Sequence, residues 1–94
     1  MRVAIIGYGA IGRLVGKALQ NNSPFTVTRV VDRNAEAAEA GARDMNISAW
    51  SQDPADAFRF SDVDAVVIAT PHADHAELTT SALYHRKHVF LQPP

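Results

Sequence analysis

The stretch Val3-Ala4-Ile5-Ile6-Gly7-Tyr8-Gly9-Ala10-Ile11-Gly12 decides the fold. Val3 to Ile6 is an unbroken apolar run, which suits a short strand buried on both faces. The run ends at Gly7, and from Ala10 the period changes. Ile11, Leu14, Val15, Ala18 and Leu19 recur at i, i+3, i+4, i+7 and i+8. That spacing predicts an amphipathic helix with this stripe inward and Arg13, Lys17 and Gln20 outward. Asn21-Asn22-Ser23-Pro24 stops it.

Outward from this joint, strand and helix signals alternate. Phe25 to Val31, rich in Val and Thr, predicts a second strand ending at Asp32. Asn34 is placed to cap a helix running through Asp44. Ile47 to Trp50 predicts a short third strand, and Asp53-Pro54 begins a weak helical turn. Ala65 to Ala69 is a second fully apolar strand, ended by Thr70-Pro71. His72 to His85 predicts a helix with Ala76, Thr80 and Leu83 inward, and Val89-Phe90-Leu91 a last strand. Such alternation predicts an α/β fold: a doubly wound, Rossmann-like parallel sheet of five strands in the order 3-2-1-4-5. One domain covers residues 1–94, with no internal repeat, linker or low-complexity segment.

Composition narrows the function classes. The chain has 94 residues, 47% hydrophobic and 20% charged, with a formal net charge of −1. That balance gives no basic footprint for nucleic acid or for a membrane surface, so neither is an expected partner. With no cysteine, disulfide frameworks, thiolate metal sites and cysteine nucleophiles are all excluded. The apolar start after Met1-Arg2 is interrupted by Gly7, Gly9, Gly12 and Gly16, and by Arg13 and Lys17. It therefore reads as strand, turn and helix rather than a secretory leader, and a cytoplasmic location is expected.

Gly7-Tyr8-Gly9-Ala10-Ile11-Gly12 is a G-x-G-x-x-G sequence in its confirming context, directly after an apolar strand and at the start of a helix. Gly7 permits the tight turn, Gly9 clears room for a pyrophosphate, and Gly12 lets the helix close on the sheet. The helix N-terminus offers free N–H groups and a partial positive charge to phosphate. Asp32, 20 residues after Gly12, stands where an acid accepts hydrogen bonds from the adenosine ribose. The expected cofactor is therefore a dinucleotide. Asp32 repels a 2′-phosphate and points to NAD, whereas Arg33 attracts one, so NADP remains possible. At the end of the fourth strand, Thr70, Pro71, His72 and His75 fall on the nicotinamide side of the same crevice. Tyr8 is expected either beside the pyrophosphate or as filling.

Here the sequence resembles the Gfo/Idh/MocA oxidoreductases, relatives of glucose-fructose oxidoreductase and inositol dehydrogenase. The resemblance runs over nearly the whole chain. It is carried by the glycine loop, by Asp32-Arg33, by Asp64 to His75 (DAVVIATPHADH, with His72 where Asn is common) and by Lys87 to Pro94 (KHVFLQPP). It implies an NAD(P)-binding domain of an oxidoreductase acting on CH–OH groups of sugars, cyclitols or polyols, with Gln92 among the cofactor contacts. It also implies a second domain, absent from these residues, that completes the substrate site.

In the family, a lysine of a Glu-Lys-Pro motif contacts the reacting hydroxyl. This chain has Gln92 for the glutamate and Pro93 for the lysine, and Pro93 has no proton to give. Arg86 replaces a helix-ending glycine. No catalytic residue is therefore expected within the chain, and the alternative is a non-catalytic dinucleotide-binding or protein-interaction module. His72, Asp74, His75 and Glu77 lack a recognised zinc spacing, and no metal is expected. Val89-Phe90-Leu91 is an apolar edge through which copies of the chain can pair.

Overall fold

The computed structural model describes residues 1–22, 24–70 and 74–91. Its elements are β1 (Arg2–Ile6), α1 (Ala10–Gln20), β2 (Thr26–Val31), α2 (Ala35–Asp44), β3 (Trp50–Ser51), α3 (Asp56–Arg59), β4 (Ala65–Ile68), α4 (His75–Tyr84) and β5 (His88–Leu91). The five strands form one parallel sheet in the order β3-β2-β1-β4-β5, as the alternation predicts.

The unbroken apolar runs are explained by burial on both faces. Val3 to Ile6 in β1 and Ala65 to Ile68 in β4 are all at most 4% exposed. Alternate side chains serve opposite layers. Ala4, Ile6, Val66 and Ile68 pack with Ala57 and Phe58 of α3 and with Leu78 and Ala82 of α4. On the other face, Val3, Ala65 and Val67 meet Val15 and Leu19 of α1. Ile5, Val27 and Val30 meet Tyr8 and Met45 there. Helices thus cover both faces, the doubly wound arrangement.

Three local expectations are corrected. In α1 the inward residues are Gly12 and Gly16, with Val15 and Leu19 half-buried, while Ile11, Leu14 and Ala18 are exposed. The helix approaches too closely for side chains along its contact line: a Cβ on Gly16 would stand 2.9 Å from Ile5 Cδ1. In α4 the buried residues are Leu78 and Ala82, and Ala76, Thr80 and Leu83 face out. Apolar residues lie all round this helix, so its sequence does not select one face.

The third strand is Trp50–Ser51 rather than Ile47 to Trp50. Asn46 and Ile47 are spent closing α2, with Asn46 N–H on the Arg43 carbonyl and Ile47 N–H on that of Ala42. Asn46 is left-handed at φ 57, which completes a Schellman end. Asn34 caps α2 as expected, its side chain accepting from Glu36 and Ala37 N–H. At the β5 edge, Leu83, Tyr84, Phe90 and Leu91 are exposed.

Candidate functional site

Between β1, the central strand, and its neighbour β4 the chain order reverses, and there a crevice of about 360 Å³ opens at their carboxyl ends. Its walls include Gly7 and Gly9, Asp32 and Arg33 beyond β2, Thr70 beyond β4, and Asp74 and Leu78 at the start of α4.

The floor is backbone held without side chains. Gly7 has φ +95, and a Cβ there would lie 2.9 Å from the Ala69 carbonyl carbon. Gly7 N–H donates to the Val31 carbonyl at 2.8 Å, tying the turn to β2. A Cβ on Gly12 would fall 2.0 Å from the Gly7 carbonyl oxygen, so only glycine lets α1 start this close to the turn. Gly9 differs: a Cβ there meets nothing within 4 Å. Its missing side chain serves open space in the crevice, at the N-cap of α1, which has no side-chain cap of its own. The first N–H groups of an uncapped helix are available to an anion.

Asp32 is pre-positioned by the loop it faces. Its Oδ2 accepts Tyr8 N–H at 2.8 Å and its Oδ1 accepts Asn34 N–H at 2.8 Å. Each carboxylate oxygen has a further lone pair, so two backbone bonds fix the group without exhausting it. Arg33 points across the mouth of the crevice, with Nη2 3.8 Å from Asp74 Oδ1.

The ring of Tyr8 faces away from the crevice. It is 3% exposed, lies in the core with Ile5, Val27, Val30 and Met45, and donates its hydroxyl to Asp44 Oδ2 at 2.9 Å. Burial first, then the Asp44 bond and charge, push this phenol up to about 12. The ring is therefore filling, and the backbone N–H of Tyr8 is the part that serves the site.

On the β4 side, Thr70 lines the crevice, and its Oγ1 is buried with no hydrogen-bond partner among the described residues. A hydroxyl placed here can both donate to and accept from a group in the crevice. His75 Nε2 meets the Thr70 carbonyl at 2.8 Å, so the histidine anchors the backbone of the β4 turn. Ala10 and Ile11 form the first turn of α1, and Ile11 is exposed. Pro71, His72, Gln92 and Pro93 lie outside the described residues. The sequence reading missed Pro54 and Leu78 as walls. Pro54 follows β3, and a correct phase for α4 would have found Leu78.

These features fit a dinucleotide: an open cradle at Gly9, a fixed carboxylate at Asp32 and a Thr70 hydroxyl with no partner among the described residues. Among the described residues, no helix is long and apolar enough to cross a membrane. The scyllo-inositol 2-dehydrogenase (NAD(+)) of Bacillus subtilis is 32% identical over 95 residues, covering 100% of this chain and 28% of that protein. The myo-inositol dehydrogenase of Lactobacillus casei, solved in complex with NAD(H) and myo-inositol, superposes with a TM-score of 0.92 at 32% identity, again over 100% of this chain and 28% of that one. A 3-ketoreductase of Actinomadura kijaniata, solved with TDP-benzene and NADP, gives 0.91 at 29% identity, over 100% and 30%. The chain thus spans under a third of the length of each. Residues 1–94 match, end to end, the family described as "Oxidoreductase family, NAD-binding Rossmann fold". The chain belongs to the Gfo/Idh/MocA oxidoreductases and forms their NAD-binding Rossmann domain.

Proposed function

We propose that residues 1–94 hold NAD for an oxidoreductase that acts on CH–OH groups of a cyclitol, sugar or related polyol. The observation that carries this is the convergence of Gly9, Asp32 and Thr70 on one crevice at the carboxyl ends of β1, β2 and β4. In this reading the pyrophosphate rests on Gly7 to Gly12 and the N–H groups of Ala10, Ile11 and Gly12. Asp32 takes the adenosine ribose hydroxyls with its remaining lone pairs, and Thr70 Oγ1 finds its partner on the nicotinamide side. Pro71, His72 and Gln92 belong to the same rim by their place in the sequence, while His75 acts through the Thr70 carbonyl. When bound, the nicotinamide supplies hydride exchange with the substrate carbon. This chain's own residues bind and orient the cofactor, and none of them is catalytic.

Inositol-type substrates are favoured because the 32%-identical relatives named above carry that specificity in their names. A non-catalytic dinucleotide-binding module is the second reading, favoured by Pro93 in the position of the family's lysine. A cytoplasmic location and self-association through β5, where Phe90 is 44% and Leu91 48% exposed, complete the proposal. Fluorescence titration with NADH and NADPH tests the core of it: saturable NADH binding is expected, and no binding by the folded protein at millimolar cofactor sinks it. Turnover of an inositol after Pro93→Lys would count against the non-catalytic reading, and a concentration-independent monomer in sedimentation against pairing.

A further inference from the structure

We propose that Asp74 sets the cofactor preference of the crevice by holding the Arg33 guanidinium, keeping the cation from a 2′-phosphate. The inference rests on the reading of the crevice as a dinucleotide site. Arg33 is the residue after the ribose acid, and among the described residues lining the crevice it is the only cation. The next guanidinium in the neighbouring groove, Arg59, is committed to Asp56 at 2.6 Å. Recognition of a 2′-phosphate beside Asp32 therefore falls to Arg33.

Its backbone is anchored and its guanidinium is paired. Gln52 Nε2 donates to the Arg33 carbonyl at 3.0 Å, which fixes where the side chain starts. Asp74 Oδ1, 3.8 Å from Nη2, draws its largely exposed guanidinium toward the α4 side as an ion pair.

Asp74 itself argues for this role. It leads into α4 in a helical conformation (φ −88, ψ −12), and its side chain takes no first-turn N–H group among the described residues, so the carboxylate is left for Arg33. Its carboxylate is 28% exposed, faces the crevice and reaches across the mouth to the β2 side. It acts twice against a 2′-phosphate: it occupies the cation, and it adds a second negative charge beside Asp32. Neither action penalises a free ribose 2′-hydroxyl, so the pair favours NAD over NADP. Asp53 and Glu77 border the adjoining groove shared by Arg33 and Asp74 and add to the negative field there.

The experiment measures Kd for NADH and NADPH in the unmodified chain, Asp74→Asn, Arg33→Ala and the double variant, with circular dichroism confirming the fold of each. Asp74→Asn keeps the size of the side chain and removes its charge. Expected is a shift of the NADH/NADPH affinity ratio toward NADPH by about fivefold, the scale of one solvent-accessible charge pair. Most of that shift should vanish in the Arg33→Ala background. An unchanged ratio in Asp74→Asn overturns the proposal, as does a shift that persists in full without Arg33, which would make Asp74 a repeller only. If the unmodified chain binds neither cofactor, the dinucleotide reading itself fails and this inference with it. Binding of NADH with an unaltered ratio removes the inference alone.

Discussion

The neighbouring strands β1 and β4 end in opposite ways. After β1 the chain turns on glycines, and the turn is so close-packed that a single methyl group at Gly12 would strike the Gly7 carbonyl oxygen. Beyond β4 the described residues meet through side chains: His75 reaches back to the Thr70 carbonyl, and Asp74 reaches across to Arg33. One half of the crevice is backbone, rigid because nothing else fits. The other is assembled from polar groups that a single substitution re-aims. A surface that meets a phosphate, common to every dinucleotide, suits the first design, and one that distinguishes ligands suits the second.

Two glycines within one loop give the sharpest way to break this contrast. Gly12→Ala puts its Cβ 2.0 Å from a backbone oxygen that cannot yield cheaply. A cost of about 3 kcal/mol, and a fall in Tm of roughly 10–20 °C, is expected in a chain this small. Gly9→Ala places its methyl in open space, so Tm should stay within about 2 °C of the parent while NADH affinity falls about tenfold. Equal thermal losses in the two variants would show that the loop is not divided between packing and binding.

Asp32→Ala tests the junction between the halves. It removes the acceptor of Tyr8 and Asn34 N–H, at about 1–2 kcal/mol of stability by thermal denaturation. In titrations it should weaken NADH by about tenfold and NADPH by less, because the repulsion of a 2′-phosphate leaves with the carboxylate. The same loss for both cofactors would remove Asp32 as the ribose ligand.

The contrast also explains what could be read in advance. Strand order, the glycine loop and Asp32 were legible because each follows from unbroken apolar runs and spacing along the chain. The phase of α1 was not, since Ile11 and Leu14 form a convincing stripe while the contact line belongs to Gly12 and Gly16. Glycine marks close approach, and it carries no hydrophobic signal. Nor was the destination of Tyr8 legible: it stands inside the phosphate loop, but the small residue Gly41 on α2 leaves a slot for its ring, where a Cβ would lie 2.9 Å from Tyr8 Cγ. The reach of Asp74 to Arg33 depends on two loops from distant parts of the sequence, which no local pattern encodes.

Tyr8 supplies a pH test of the packed half. Its phenol is raised from 10.0 to about 12 in the folded chain. A raised folded value favours the protonated form, so the contribution is complete below about pH 10 and is lost as pH climbs toward 12. Denaturant midpoints should fall across that window, and Tyr8→Phe, which costs about 1 kcal/mol by deleting the hydroxyl bond to Asp44, should flatten part of the fall. An unchanged slope in Tyr8→Phe would assign the alkaline loss to other groups.

The smallest effect concerns two helix ends built alike. Both α2 and α4 close with paired bonds, Asn46 N–H to Arg43 and Ile47 N–H to Ala42 in one, Arg86 N–H to Leu83 and Lys87 N–H to Ala82 in the other. Both place a left-handed residue at the turn, Asn46 at φ 57 and Arg86 at φ 60. Asparagine accepts that conformation with little strain, whereas arginine carries a Cβ penalty, and among the described residues no side-chain hydrogen bond of Arg86 offsets it. Arg86→Gly should therefore stabilise the chain by about 0.5–1 kcal/mol in denaturant titration, despite the flexibility glycine adds to the unfolded state. The same replacement at Asn46 should be close to neutral. A loss at position 86 would mean that the arginine side chain contributes more at the α4–β5 turn than its backbone costs.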